Sequence, residues 1–445
     1  MATRFTNHSR LVGPAGVFAL AAWFSSPVTP QTTDASNQSN EVGTPAKRPE
    51  PTATALPDRV VLTLADDPAT TVDVSWRTDV SVAEAAVEYA VATPGPEFVK
   101  SSSTQKAETV PFGGEGDEVH RHHAQLRELT PNTAYVYRVG SGDSWSEWFQ
   151  FRTASAEAAP FRFVYFGDAQ NKIRDHWSRV VRSAALDAPD AGFMLHAGDL
   201  VNVGERDREW GQWFAAGSWL NATLPQIATP GNHEYTRGQL TSQWRPQFAF
   251  PENGPAGLEE TAYWLDYQGV RFVSLNSLED VEAQVKWLPD VLSAGEPQWT
   301  IVFLHYPLFS AAKGRDNGQL RAALKPIFDE YGVDLVLQGH DHAYLRTGLE
   351  TPLNLEDGAQ ALSGNTVYVV SVSGPKMYPA MSRDFAPSSA GGLQLYQVID
   401  VERDELRFRA HRADGPVHDA FILHREADGR NRLEEIPSAE AELWR

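Results

Sequence analysis

Gly167-Asp168-Ala169-Gln170, Gly198-Asp199, Gly231-Asn232-His233-Glu234, His305 and Gly339-His340-Asp341-His342 put carboxylate, amide and imidazole groups just after apolar runs. Such oxygen and nitrogen donors suit Zn, Mn, Fe or Mg rather than a thiolate-seeking metal. The chain has no cysteine, which excludes a sulfur-ligated zinc or an iron–sulfur site. Two metals roughly 3.5–4 Å apart need one ligand able to touch both, and a carboxylate has two oxygens for the task. Asp199 is the candidate bridge. Taken singly, a Gly-Asp after a strand is usually a turn or helix cap, and a lone histidine is usually packed or solvated. Repetition in series, with His340 and His342 two apart, points instead to a two-metal hydrolytic site.

The apolar runs cover residues 161–166, 193–196, 226–229, 301–304 and 333–337 and are rich in Val, Ile, Leu and Phe. Short runs of this kind, closed by polar clusters, read as buried strands that feed functional loops. In an open α/β sheet the carboxyl ends of neighbouring strands meet at one crevice, so donors spread from Asp168 to His342 can converge. Helical periodicity covers 174–187, with Trp177, Val180, Val181 and Ala184 on one face, and recurs over 281–292 and 319–331. Further strands are predicted at 270–275, 367–372, 395–401 and 406–410. Strands alternating with helices imply an α/β layered domain. No repeat with a solenoid period is present.

In their order these segments resemble the calcineurin-like metallophosphoesterase superfamily, whose pattern runs D-x-H, G-D-x-x-D/Y, G-N-H-E/D, H and G-H-x-H. Gly339-His340-Asp341-His342-Ala343-Tyr344-Leu345-Arg346 resembles the G-H-x-H-x-Y-x-R of purple acid phosphatases, and the resemblance extends from about residue 57 to 425. It implies an αββα-type domain of two packed sheets flanked by helices. Asp168 and His342 would hold the first metal, and Asn232, His305 and His340 the second, with Asp199 between them. A metal-bound hydroxide would attack phosphorus in line while His233 protonates the leaving oxygen. Asn202 stands where the purple enzymes carry their iron-ligating tyrosine, so no purple colour is expected. Gln170 replaces the histidine of D-x-H; both it and Asn202 are possible ligands or supporting groups. The expected cofactor is a pair of metal ions drawn from Fe, Zn or Mn, with divalent ions favoured by the missing phenolate. Candidate substrate contacts are Tyr344, Arg237, Lys313 and Arg315.

Residues 1–30 carry Arg4 and Arg10, then an apolar stretch interrupted by Pro14, the pattern of a secretory signal peptide. Residues 31–57 are polar and proline-containing, a disordered linker. Over 58–154 apolar and polar residues alternate in short runs between turns, as in an all-β sandwich. Trp76 and Tyr135, read as core residues, resemble those of a fibronectin type III-like fold, and the segment resembles the N-terminal domain of purple acid phosphatases. His120, His122 and His123 are read as loop residues without a metal role. The α/β domain is placed at 160–425 and a C-terminal tail at 426–445.

A formal net charge of −20 and the lack of a basic stripe argue against nucleic acid, whose binding neutralises phosphates with Lys and Arg. A small phosphate ester remains a suitable partner, because bound metals concentrate positive charge locally. The expected product is a secreted or periplasmic phosphomonoesterase with no stable membrane span after signal cleavage. Phosphodiester cleavage, cyclic nucleotides included, is the alternative on the same metals. A non-catalytic surface-binding protein is the remote one.

Overall fold

The computed structural model describes residues 51–64, 66–113, 118–349 and 365–443. The signal-peptide reading and linker residues 31–50 lie outside the described residues. Residues 51–57, the rest of that linker, form no helix or strand.

The first part of the chain forms a β-sandwich, as its alternation predicts. One sheet contains Asp58–Thr63, Val72–Asp79, Val119–Leu126 and Glu108–Phe112; the other is built around Ala86–Val91 and Ala134–Ser141. Trp76, Val87, Tyr137 and Phe151 share the core between them. Tyr135 is buried too, and its hydroxyl accepts the Thr130 N–H at 2.9 Å, five residues upstream, which pins the corner leading into its strand.

Residues 161 onward form two packed sheets with helices outside. The first has a parallel centre, Phe161–Phe166, Met194–His196 and Gln226–Ala228. The second runs parallel through Val270–Leu275, Trp299–Leu304, Leu335–Gln338 and Val367–Val370. Every residue of Trp299–Leu304 is buried because both faces are covered. Ile301 and Phe303 meet the first sheet across the inter-sheet core, while Val302 and Leu304 face the helices Val281–Ser293 and Gly318–Tyr331. On the far side, Val180, Val181, Trp210 and Trp213 seat the helices Ser178–Asp187 and Asp207–Gly217. The expected start at 174 is instead a π-helical turn, Ile173–Trp177. It follows left-handed backbone at Asn171 and Lys172, which carries the chain out of the Asp168 loop.

The two parts share a sheet. Thr63 pairs in parallel with Gln226, so sandwich strands extend the first of these sheets to eleven strands. Tyr137 donates to the Ala222 carbonyl at 2.7 Å, and Arg59 grips both oxygens of Asp207 at 2.7 Å.

Two expectations need correction. The histidines at 120, 122 and 123 sit on the strand Val119–Leu126 rather than in a loop, paired on both sides. His122 stacks on Trp76 and bonds Thr78 Oγ1 at 2.7 Å; His123 meets Asp73 at 2.6 Å. Nor is 426–445 only a tail, since Asn431–Glu435 adds an edge strand to Val417–Arg425 and Ile436 and Ala441 pack against Ala420. The charges of Arg432, Glu434 and Glu435 suit an edge strand.

Candidate metal centre

Each donor leaves the carboxyl end of a central strand through a loop that only particular residues allow. Asp168, Asp199 and His340 have φ of 38°, 53° and 69°, a left-handed conformation that non-glycine residues seldom adopt. The neighbouring glycines make room: a methyl group at Gly231 would collide with the Asp199 carboxylate, and one at Gly339 with that of Asp168.

Two donor groups result, Asp199 with His305 and His340, and Asp168 with Asp199 and His342. Within each, the ligand atoms lie within 4.8 Å of one another, and Asp199 belongs to both. His305 Nε2 is 3.3 Å from Asp199 Oδ1 and 3.1 Å from Asn232 Oδ1, which adds the amide to the second group. His342 Nε2 is 3.7 Å from Asp168 Oδ1. That oxygen is buried and has no hydrogen-bond partner, and His340 Nδ1 approaches His305 Nε2 at 3.2 Å. Converging lone pairs of this sort fit a cation.

Outer contacts aim the rings. His305 Nδ1 donates to the Ala197 carbonyl and His342 Nδ1 to that of Lys376, both at 2.9 Å, so each turns Nε2 inward. Burial lowers His340 to about 2, with the His305 and Arg315 charges adding to it; burial and the Lys376 charge lower His342 to about 3. Both are neutral, metal-ready imidazoles at physiological pH. For His305 burial works the same way, but the charges of Asp199 and Asp168 outweigh it and raise the ring to about 9. Burial alone would push Asp199 up; His305 and His233 hold it below the usual carboxylate range.

His233 lies at the open side, its Nε2 3.9 Å from Asp199 Oδ2. Its Nδ1 donates to the Asn202 carbonyl at 2.6 Å. Asn202 thus meets the site through its backbone. Gln170 is buried inside the first group, its amide 2.7 Å from Asp199 Oδ2 and 3.2 Å from His342 Nε2.

Of the expected substrate contacts, Tyr344 is corrected. It is 1% exposed and its hydroxyl donates to Asp419 Oδ2 at 2.7 Å, beside Arg346, which binds the same carboxylate. The residues at the Y and R positions of the motif therefore brace the sheet. Arg315 is ion-paired to Asp341, between His340 and His342, and keeps a partly exposed guanidinium. Arg237 is exposed at a hairpin tip after His233, and Lys313 is exposed in the loop before Arg315; neither forms an ion pair among the described residues.

One structural residue went unread in the sequence. Glu234 is buried and accepts the N–H groups of Asp199 at 2.9 Å, Val201 at 3.1 Å and Gly231 at 2.7 Å. Burial and the Asp199 charge push it up to about 8, against the Gly231 and Val201 N–H groups and the His305 charge. It ties the Gly198-Asp199 loop to the Gly231-Asn232 loop. Its place after Asn232-His233 was the available signal.

Residues 57–153 match the family model of the purple acid phosphatase N-terminal domain, and residues 161–344 that of calcineurin-like phosphoesterases. Residues 161–344 form a calcineurin-like phosphoesterase domain. The chain is 29% identical over 318 residues to an uncharacterized protein of Mycobacterium tuberculosis, covering 62% of this chain and 59% of that one, so it spans less than two thirds of that relative's length. It is 28% identical over 332 residues to human acid phosphatase type 7, covering 66% and 71% of the two chains. Among solved structures, the purple acid phosphatase from yellow lupin seeds superposes with a TM-score of 0.70 at 20% identity, over 84% of this chain and 75% of the lupin chain. PhoD gives a TM-score of 0.65 at 13% identity, covering 87% and 93%. These two likenesses concern the fold.

Proposed function

We propose that this metallophosphoesterase is an exported dinuclear-metal enzyme that hydrolyses phosphomonoesters. Asp168 and His342 would hold the first ion and Asn232, His305 and His340 the second, with Asp199 belonging to both donor groups. Gln170 supports the first group by donating its amide N–H to Asp199 Oδ2. The observation that carries the reading is the pair of donor groups sharing Asp199, with His233 on their open side. When bound, the two ions supply an activated water and neutralise charge on the phosphoryl oxygens.

The protein's own groups do the remainder. With Nδ1 committed to the Asn202 carbonyl, His233 presents Nε2 to the substrate and can deliver a proton from it to the leaving oxygen. Arg315, held by Asp341, offers a fixed guanidinium to the ester, while Arg237 and Lys313 offer mobile charges around the opening. The sequence of residues 1–30 supports export. No helix among the described residues is long and apolar enough to cross a membrane.

The test is hydrolysis of 4-nitrophenyl phosphate and of bis(4-nitrophenyl) phosphate from pH 4 to 8 with Mn, Zn or Fe(II) supplied. Preference for the monoester supports the proposal. Preference for the bis-ester replaces it with phosphodiester cleavage, and cleavage of neither contradicts both.

A further inference from the structure

Beside the candidate first metal the protein presents charge that the proposed chemistry leaves unused. Tyr378 packs against the His342 ring with centroids 4.8 Å apart, and its N–H donates to the His342 carbonyl at 2.7 Å. Two cations lie over the Tyr378 ring, Arg315 at 5.3 Å and Lys376 at 5.6 Å from its centroid. The ring quadrupole attracts both.

Their charges are not equally balanced. Arg315 is paired with the buried Asp341. Lys376 has no carboxylate partner among the described residues, although the chain as a whole carries a net charge of −20. Its position is set by its backbone, whose carbonyl accepts His342 Nδ1–H at 2.9 Å. Two divalent ions facing the carboxylates of Asp168 and Asp199 leave two surplus positive charges, which one phosphomonoester dianion meets. The Lys376 ammonium is then left over, half-buried at the edge of the cleft. A cation held there over an aromatic ring calls for an anion that is not the transferred phosphoryl group.

We propose that Lys376, presented over the Tyr378 ring that packs on His342, is a specificity residue that receives a second anionic group on the alcohol part of the phosphoester. The inference rests on the phosphoesterase reading and names its substrate class, organic phosphates that carry a further negative charge. Alcohols with no such group lose this contact and keep every other.

Glycerol 3-phosphate and 3-phosphoglycerate share a carbon skeleton and differ in a hydroxymethyl against a carboxylate, so they probe the subsite directly. The ratio of their kcat/KM values, compared between wild type and Lys376→Met, cancels their intrinsic reactivities. A charge-assisted contact predicts that wild type favours the carboxylate and that the variant lowers the ratio about tenfold, mainly through KM. Lys376→Arg should keep the preference, and added salt should erode it in wild type. Equal losses on both esters, or an unmoved ratio, overturn the proposal. Calorimetric binding of the same esters to the metal-loaded proteins separates the two readings. A carboxylate preference in binding that Lys376→Met abolishes, without turnover of either ester, sustains the subsite and contradicts hydrolysis. Turnover with an unmoved ratio does the reverse.

Discussion

His233 Nδ1 and the Asn202 backbone carbonyl are 2.6 Å apart, so the ring proposed to meet the leaving group is oriented by a main-chain atom. The Asn202 side chain has no part in that bond. Asn202→Ala should therefore leave turnover within about twofold of wild type, whereas His233→Ala should lower kcat by about 10²–10⁴-fold with metal content unchanged. Steady-state kinetics with elemental analysis of both variants checks this. A large loss in Asn202→Ala would show that its side chain contributes directly.

Glu234 joins two ligand loops through three backbone N–H groups. Glu234→Gln can keep its oxygen toward the Asp199 and Gly231 N–H groups but then turns an NH2 toward that of Val201, and an unmet buried N–H costs about 1–3 kcal/mol. The variant should melt at a lower temperature and retain less metal. Wild-type melting and metal content together would show that the loops keep their places without the carboxylate.

Tyr344 and Arg346 converge on Asp419, and Arg346 also reaches Glu435 Oε2 at 2.7 Å. Tyr344→Phe should cost about 1 kcal/mol in urea unfolding and leave KM unchanged. Removing Arg346 strands a buried carboxylate and should cost about 3–5 kcal/mol, again without altering KM in the folded fraction. A raised KM in Tyr344→Phe would return that residue to the substrate.

His122 and His196 give stability an acid limit. Burial lowers both from the ordinary 6.5 to about 4; the neighbouring His120 adds to this at His122, and Gln226 opposes it at His196. With the folded-state value below the unfolded one, the unfolded chain takes up protons first. The contribution is complete above pH 6.5 and is lost as pH falls from there to about 4, by roughly 3 kcal/mol for each ring. His122→Gln should flatten that part of the stability profile in urea titrations at pH 7.5, 5.5 and 4.5. Parallel wild-type and variant profiles would contradict the assignment.

The donor segments were legible because each follows a strand buried on both faces, whose apolar run ends where the ligand loop begins. Trp299–Leu304 before His305 shows this directly. The G-H-x-H-x-Y-x-R pattern was legible as a motif but not in its division of labour. Nothing local tells that His340 and His342 face the cleft while Tyr344, two residues on, is already in a strand pointing at Asp419. His122 read as a loop residue because its polar neighbours hid the pairing that Trp76 and Thr78 provide from a distant strand. Lys376 gave no sign either, as its place near the site depends on Tyr378 folding back onto His342. Such relationships are set by tertiary packing and leave no periodic trace.

The central claim is a site for two metal ions built on Asp199, and metal stoichiometry tests it most directly. Elemental analysis after loading with Mn, Zn or Fe(II) and exhaustive desalting should find two ions per chain in wild type. His340→Ala should fall toward one ion, by loss of a second-group donor, and Asp199→Asn should lose both. Fewer than two ions in wild type, or full occupancy in Asp199→Asn, would contradict the account.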